Sequence, residues 1–360
     1  MQRLRPTTIL CGSLLSLSLA IQLATVAVTT VAAADGDTAA STSSQTSTAP
    51  SDTSQSTADQ AEARFLGNIR QVTRGFPRAG EGYFSPNGKQ IVFQAYPIGY
   101  PFYQIYVQDL DGGEPYRISP GRGRTTCAYF TRDGKRVLFA SSHGDPEIEK
   151  TEFDARELAR QGGRRRYQWD FDPQTEIDTC QLGGTDPRGP TDSPGYDAEG
   201  SYSHDGSQVV FTSMRDGDAD LYIMDADGGN IRQLTNQPGY DGGPFFSPDD
   251  KWVIYRSDRE REHMLQLYAI SVDGKQDVQL TFNLDRVEWA PYFHPNGKLI
   301  IWGGADYSQG PRGAHFQLYT MQIKTTDKSF EAGAVEQVTF RDSTDILSVF
   351  SADGMKMMWC

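Results

Sequence analysis

The chain has 360 residues, 37% of them hydrophobic, with 36 glycines and 19 prolines. That length supports a large core, and the glycine and proline content suits an all-β protein rich in turns. A net charge of −13 argues against general nucleic-acid binding, which needs a basic footprint, and favours cationic partners.

The N-terminus reads as an export signal. Arg3 and Arg5 precede a mostly apolar run from Ile9 to Val31, and Ala32-Ala33-Ala34 offers a small-residue cleavage site before Asp35. Residues 1–34 are therefore assigned to a signal peptide. The run is long for a cleaved signal, so an uncut membrane anchor is the alternative. Cys11 has no lipobox before it. Residues 35–63 are mostly Ala, Ser, Thr, Asp and Gln, and a disordered tether is expected there.

Residues 64–360 carry a repeat. An aromatic residue, a polar residue, usually Pro, then Asp or Asn, then Gly precede a short apolar run, as in Phe84-Ser85-Pro86-Asn87-Gly88-Lys89. The phrase opens at Phe84, Phe130, Tyr202, Phe246, Phe293 and Phe350, spaced 44–47 residues apart where nothing is inserted. Pro presets the first corner of a tight turn, and Gly accepts the left-handed conformation that closes it. A strand such as Gln90-Ile91-Val92-Phe93-Gln94 follows, then a second hairpin. Its first arm resembles Leu221-Tyr222-Ile223-Met224, its turn Asp227-Gly228-Gly229, and its last arm ends in Leu234-Thr235.

Four short antiparallel strands thus recur in each unit. Stacking such sheets radially buries both faces and leaves only short edges. The expectation is an all-β, six-bladed β-propeller of four-stranded antiparallel blades; a linear β-solenoid is the competitor. Asn68-Ile69-Arg70-Gln71-Val72-Thr73 reads like the final arm of a repeat. It should close the blade containing Phe350, which stops at Trp359-Cys360 after two strands. That last blade is expected to be incomplete, with the 68–73 arm packed directly on its second strand.

Blade two carries an insertion at about 143–175. Within it, 146–161 suits an amphipathic helix with Ile148, Phe153 and Leu158 on its apolar face. Arg164-Arg165-Arg166 follows, read either as a docking site or as a solvated loop. Arg215-Asp216-Gly217-Asp218-Ala219-Asp220 has the alternating acids of a calcium loop but not its downstream Glu, so turn stabilisation is expected instead.

Loops entering strand one of each blade should gather at one channel mouth. They supply Glu81, Arg124, Asp197, Glu199, Asp241, Glu288, Trp289 and Asp345. These are the candidate partner-binding residues; the alternative is that the acids only hydrogen-bond neighbouring blades. No histidine pair has metal-ligand spacing, so neither a metal nor another cofactor is expected. Cys127, Cys180 and Cys360 remain after signal removal. Cys127 and Cys180 could form a disulfide or serve as small buried hydrophobes.

Asp220-Leu221-Tyr222-Ile223-Met224-Asp225-Ala226-Asp227-Gly228-Gly229, with Gln233-Leu234-Thr235, resembles the WD40-like (PD40-type) repeats of the periplasmic TolB propellers, over about 68–360. Related repeats occur in the propellers of prolyl-oligopeptidase-like peptidases and of oligogalacturonate lyases, so the repeat implies a fold before an activity. The resemblance implies an exported, periplasmic, monomeric scaffold without catalytic residues. Its partner would be an envelope protein or peptide, such as a peptidoglycan-associated lipoprotein, with no membrane span after signal cleavage. The chain has no Gly-x-Ser-x-Gly and so lacks the hydrolase signature. Two rivals are a metal-dependent polysaccharide lyase or hydrolase working at the channel mouth, and a tethered surface adhesion or assembly module.

Overall fold

The computed structural model describes residues 27–31, 53–161 and 171–360. The first elements are β1 (Ala27–Val31), α1 (Thr53–Glu62) and β2 (Leu66–Gln71), then β3 (Ala79–Phe84), β4 (Gln90–Ala95), β5 (Gln104–Asp109) and β6 (Tyr116–Arg117). Next come β7 (Thr125–Phe130), β8 (Arg136–Ser141), α2 (Ile148–Arg160) and β9 (Glu176–Gln181). Two regular sets follow: β10 (Asp197–Tyr202), β11 (Gln208–Ser213), β12 (Asp220–Asp225), β13 (Arg232–Gln233), and β14 (Asp241–Phe246), β15 (Trp252–Ser257), β16 (Gln266–Ser271), β17 (Asp277–Gln279). The chain ends with β18 (Arg286–Phe293), β19 (Leu299–Asp306), β20 (Gln317–Thr326), β21 (Ser329–Gln337), β22 (Val349–Phe350) and β23 (Lys356–Trp359).

Five sheets are four-stranded and antiparallel: β3–β6, β10–β13, β14–β17, β18–β21, and β22-β23-β1-β2. The sheet β7-β8-β9 has three strands, which corrects the expectation of six four-stranded blades. After β9 the chain makes only an isolated bridge between Thr179 and Arg188. The innermost strands form a closed circuit, with β3 against β7, then β10, β14, β18, β22 and back to β3. That closure is incompatible with a linear solenoid.

The repeated phrase builds one turn in every copy. In the first, Ser85 Oγ donates to Asn87 Oδ1 (2.8 Å), Lys89 N donates to the same oxygen (3.0 Å) and Gly88 N donates to Ser85 O (2.8 Å), with Gly88 at φ 65°. The Ser or Thr ending each last arm also has a task. Thr235 Oγ1 accepts from Leu221 N (2.9 Å) and Thr281 Oγ1 from Leu267 N (2.8 Å), fixing the start of strand three.

The closing sheet departs from expectation. β1 lies between β23 and β2, pairing Val28 with both Met358 and Arg70. The sheet is therefore filled rather than incomplete, and β2 is its outer strand. An exposed β23 edge carries unpaired N–H and C=O groups; the β1 backbone pairs with them, and its Val and Thr residues suit a strand. The strand falls inside the stretch assigned to the signal.

Helix α1 occupies part of the expected tether. Glu62 is buried, accepts from Phe340 N (2.8 Å) and pairs with Arg341 (3.1 Å). Helix α2 forms as expected, but of its apolar face only Ile148 is buried; Phe153 and Leu158 are exposed. Arg164, Arg165 and Arg166 lie outside the described residues. Cys127, Cys180 and Cys360 are free thiols, all buried. Among the described residues no helix is long and apolar enough to cross a membrane.

Candidate functional site

The innermost strands share an irregularity. The register shifts between Gly80 and Gly82, Thr126 and Tyr129, Ala198 and Ser201, Gly242 and Phe245, and Trp289 and Tyr292. Inside each bulge one residue takes a positive φ: Glu81 (26°), Cys127 (54°), Glu199 (57°), Gly243 (60°) and Ala290 (54°). Leu347 does the same (56°) just ahead of β22. A bulge re-aims the side chain it carries. Here all six positions line one axial cavity. Arg78, Tyr103, Arg256 and Trp289 complete much of its wall.

The cavity is blind. Two residues beyond the bulges, rings from opposite sides of the circuit meet across the axis. Tyr83 of β3 packs on Phe245 of β14 (5.7 Å between centroids), and Tyr129 of β7 meets Tyr292 of β18 through their hydroxyls (3.2 Å). Tyr83 also packs on Tyr129 (5.0 Å), and Phe245 on Tyr292 (5.0 Å). Tyr83 and Phe245 form the floor of the pocket.

The two acids of the wall differ. Glu199 is saturated: it accepts from Thr212 Oγ1 (3.0 Å), Tyr240 Oη (2.8 Å), Gly243 N (2.7 Å) and Arg256 Nη2 (2.7 Å). Arg256 also lies over the Tyr240 and Trp289 rings. Glycine makes this hub possible. A Cβ at Gly243 would overlap the Arg256 guanidinium, and one at Gly242 would overlap Tyr240 Oη and crowd Glu199.

Glu81 accepts from Tyr83 Oη (3.1 Å) and forms no ion pair with any described Lys or Arg. Burial, then the charge of Glu199, pushes its carboxyl up to about 7. The folded state therefore holds a proton that the unfolded chain has released, and stability drains away as pH rises from about 4.5 through about 7. Glu81→Gln should remove that loss. Relative to wild type it should gain on the order of 2 kcal/mol between pH about 5 and about 8, a figure kept low because Glu81 retains some contact with solvent. Urea midpoints of both chains at the two pH values check this. Cys127 is also held protonated, first by burial and then by Glu81.

Of the sequence-predicted residues, Glu81, Glu199 and Trp289 line the cavity; the others do not. Asp197 is fully buried against Arg215 (2.8 Å), and Asp241 against Arg259 (3.0 Å). Glu288 pairs with Arg286 (2.7 Å) and accepts from Trp302 Nε1 (2.7 Å). Asp345 accepts from Trp359 Nε1 (3.0 Å). Arg124 lies over the Phe102 ring (5.0 Å). Backbone N–H groups of Asp197, Asp241, Glu288 and Asp345 donate to Thr175, Ala219, Leu265 and Phe316, so these positions staple neighbouring sheets. Cys127, Arg256 and Arg78 were missed.

No histidine lines the cavity. Among the described residues, one group could offer three ligands to a metal, Asp216, Asp218 and Asp220, where the turn after β11 leads into β12. Asp220 there is already bonded to Thr235 (3.0 Å), and Asp216 to Gln233.

Residues 189–325 match the family described as the PD40 TolB beta propeller domain. Over this stretch the chain is similar to the TolB-like PD40 propellers. An uncharacterized protein of Agrobacterium fabrum is 29% identical over 47% of this chain and 50% of its own length. A TolB homologue of Chlorobium luteolum is 26% identical over 40% of this chain and 36% of its own. The chain thus matches half or less of these relatives. The solved structure of a TolB candidate from Agrobacterium tumefaciens superposes with a TM-score of 0.60 at 18% identity, covering 93% of this chain and 96% of that one. This last likeness is one of fold.

Proposed function

We propose that this TolB-like propeller is an exported, non-enzymatic scaffold that holds an envelope protein or peptide at the mouth of its axial pocket. The observation that carries this reading is the pocket itself: open at one end, floored by tyrosines and Phe245, and walled by residues that strained bulges fix in place. Concave, pre-formed sites with a few placed polar groups are where such folds bind. The similarity to TolB-like propellers supports a binding role, and the signal-like N-terminus supports a periplasmic location. The peptidoglycan-associated lipoprotein implied by the resemblance is the first partner to try.

The experiment passes envelope extracts over the immobilised full chain and over Trp289→Ala and Arg78→Glu variants, both at the pocket wall. The reading expects wild type to retain a protein that both folded variants release. Identical retention by all three would show that binding, if any, lies elsewhere.

A further inference from the structure

The two wall acids differ in what they still have to offer. Glu199 spends its lone pairs on four donors, and Arg256 cancels its charge. Glu81 has a tyrosine hydroxyl at 3.1 Å and the Cys127 thiol as side-chain donors, and no cation within ion-pair distance among the described residues. It stands on a bulge at φ 26°, held on the wall of a blind pocket. The rest of that wall is largely apolar, with Phe245, Trp289, Ala290, Ile346 and Leu347.

We propose that the axial pocket is a receptor for a primary ammonium on an alkyl stem, with the Glu81 carboxylate as its counter-ion. The inference deepens the scaffold reading above and rests on the pocket being a binding site. An ammonium on a four-carbon stem has a compact charged head and an apolar body. The head would sit on Glu81 beside the Tyr83 hydroxyl, and the stem along Trp289, Ile346 and Leu347. A cation there relieves the one wall carboxylate that burial leaves without a charged partner. The groups facing Glu81 are Tyr83, Tyr103, Cys127, Glu199, Arg256 and Cys360. At Glu81 the charge of Glu199 outweighs that of Arg256, so the field there stays negative and suits a cation. Arg78 lines the wall beyond ion-pair distance of Glu81 and would suit an acceptor carried by the ligand. Two sources share this chemistry: a free alkylamine and a lysine side chain of the partner.

Calorimetric titration of the full chain with n-butylamine, with Nα-acetyl-lysine methylamide and with its neutral norleucine analogue tests the proposal. The lysine analogue should bind at least about tenfold more tightly than the norleucine one. Glu81→Gln should lose about tenfold, while Glu336→Gln, at an exposed outer-strand position, should lose nothing. Glu81→Asp, which keeps the charge but shortens the arm, should fall between. Amine binding should weaken as pH drops below about 7, where the carboxyl takes up a proton. Binding of both amines marks a free amine as a sufficient ligand; binding of the lysine analogue alone marks a polypeptide. Equal affinity for lysine and norleucine analogues, indifference to Glu81→Gln in a folded variant, or no binding up to about 10 mM would overturn the proposal. Amine binding that persists when no envelope protein depends on Trp289 or Arg78 would sink the scaffold reading and leave this one standing.

Discussion

An Arg256→Met chain should unfold about 3–5 kcal/mol more easily than wild type. Arg256 and Glu199 keep only 8% and 5% of their side-chain surface exposed. Removing the guanidinium strands a buried carboxylate that still has three donors but no cation. Breaking a buried pair on one side costs far more than deleting both partners, because the survivor cannot be resolvated. The double variant Glu199→Gln with Arg256→Met should therefore recover much of the loss. Urea unfolding of the two single variants and the double checks the coupling; strictly additive losses would mean the pair does not act as a unit. The same pair holds the pocket wall, since Arg256 fills the space that Gly243 leaves open.

The second large effect concerns the seam. Starting the chain at Asp35 removes β1 and leaves β23 and β2 with unpaired edges on either side of a gap. The loss should be on the order of 3–5 kcal/mol, several net hydrogen bonds plus the docking of β2. Self-association through the bared edges should accompany it. Residues 27–31 carry two incompatible assignments, as a leader to be discarded and as a strand to be kept. Comparing urea midpoints and sedimentation of the two chains separates them. Equal stability and a monomeric short chain would show that the seam does not need β1.

The fold was legible because each repeat states its own turn chemistry. Gly88, Gly134, Gly206, Gly297 and Gly354 all take the left-handed φ that the phrase requires, and Asp250 takes it where Gly is missing (57°). The last-arm Ser and Thr were visible in the sequence too, although their bond to strand three was not. The filled closing sheet was not legible, because β1 sits in an apolar run whose composition reads equally well as leader. The missing fourth strand after β9 could not be read from a segment that still ends in Thr191, whose Oγ1 accepts from Ile177 N (2.8 Å) as the other last arms do.

The site was legible only by half. Acids near the start of strand one were expected to face the channel, and Asp197, Asp241 and Glu288 instead turn into the sheets. A residue in a regular strand alternates faces, so a bulge of one residue reverses the assignment. Alternation alone could not show where the bulge falls. One signal was present. The lining residue stands three positions before each opening aromatic: Glu81 before Phe84, Cys127 before Phe130, Glu199 before Tyr202, Gly243 before Phe246, Ala290 before Phe293 and Leu347 before Phe350. Cys127 reads in the sequence as a disulfide partner or small buried hydrophobe, and Arg256 gives no signal there, because neither resembles its counterparts in the other repeats.

Everything said of function depends on those bulge positions facing one blind, axial pocket. A crystal structure of the full chain is the direct test. It should place Glu81, Cys127, Glu199, Gly243, Ala290 and Leu347 around a single cavity, with Tyr83, Tyr129, Phe245 and Tyr292 closed across its base. A channel open from end to end, or a wall formed by Asp197 and Asp241 in place of Glu81 and Glu199, would contradict it.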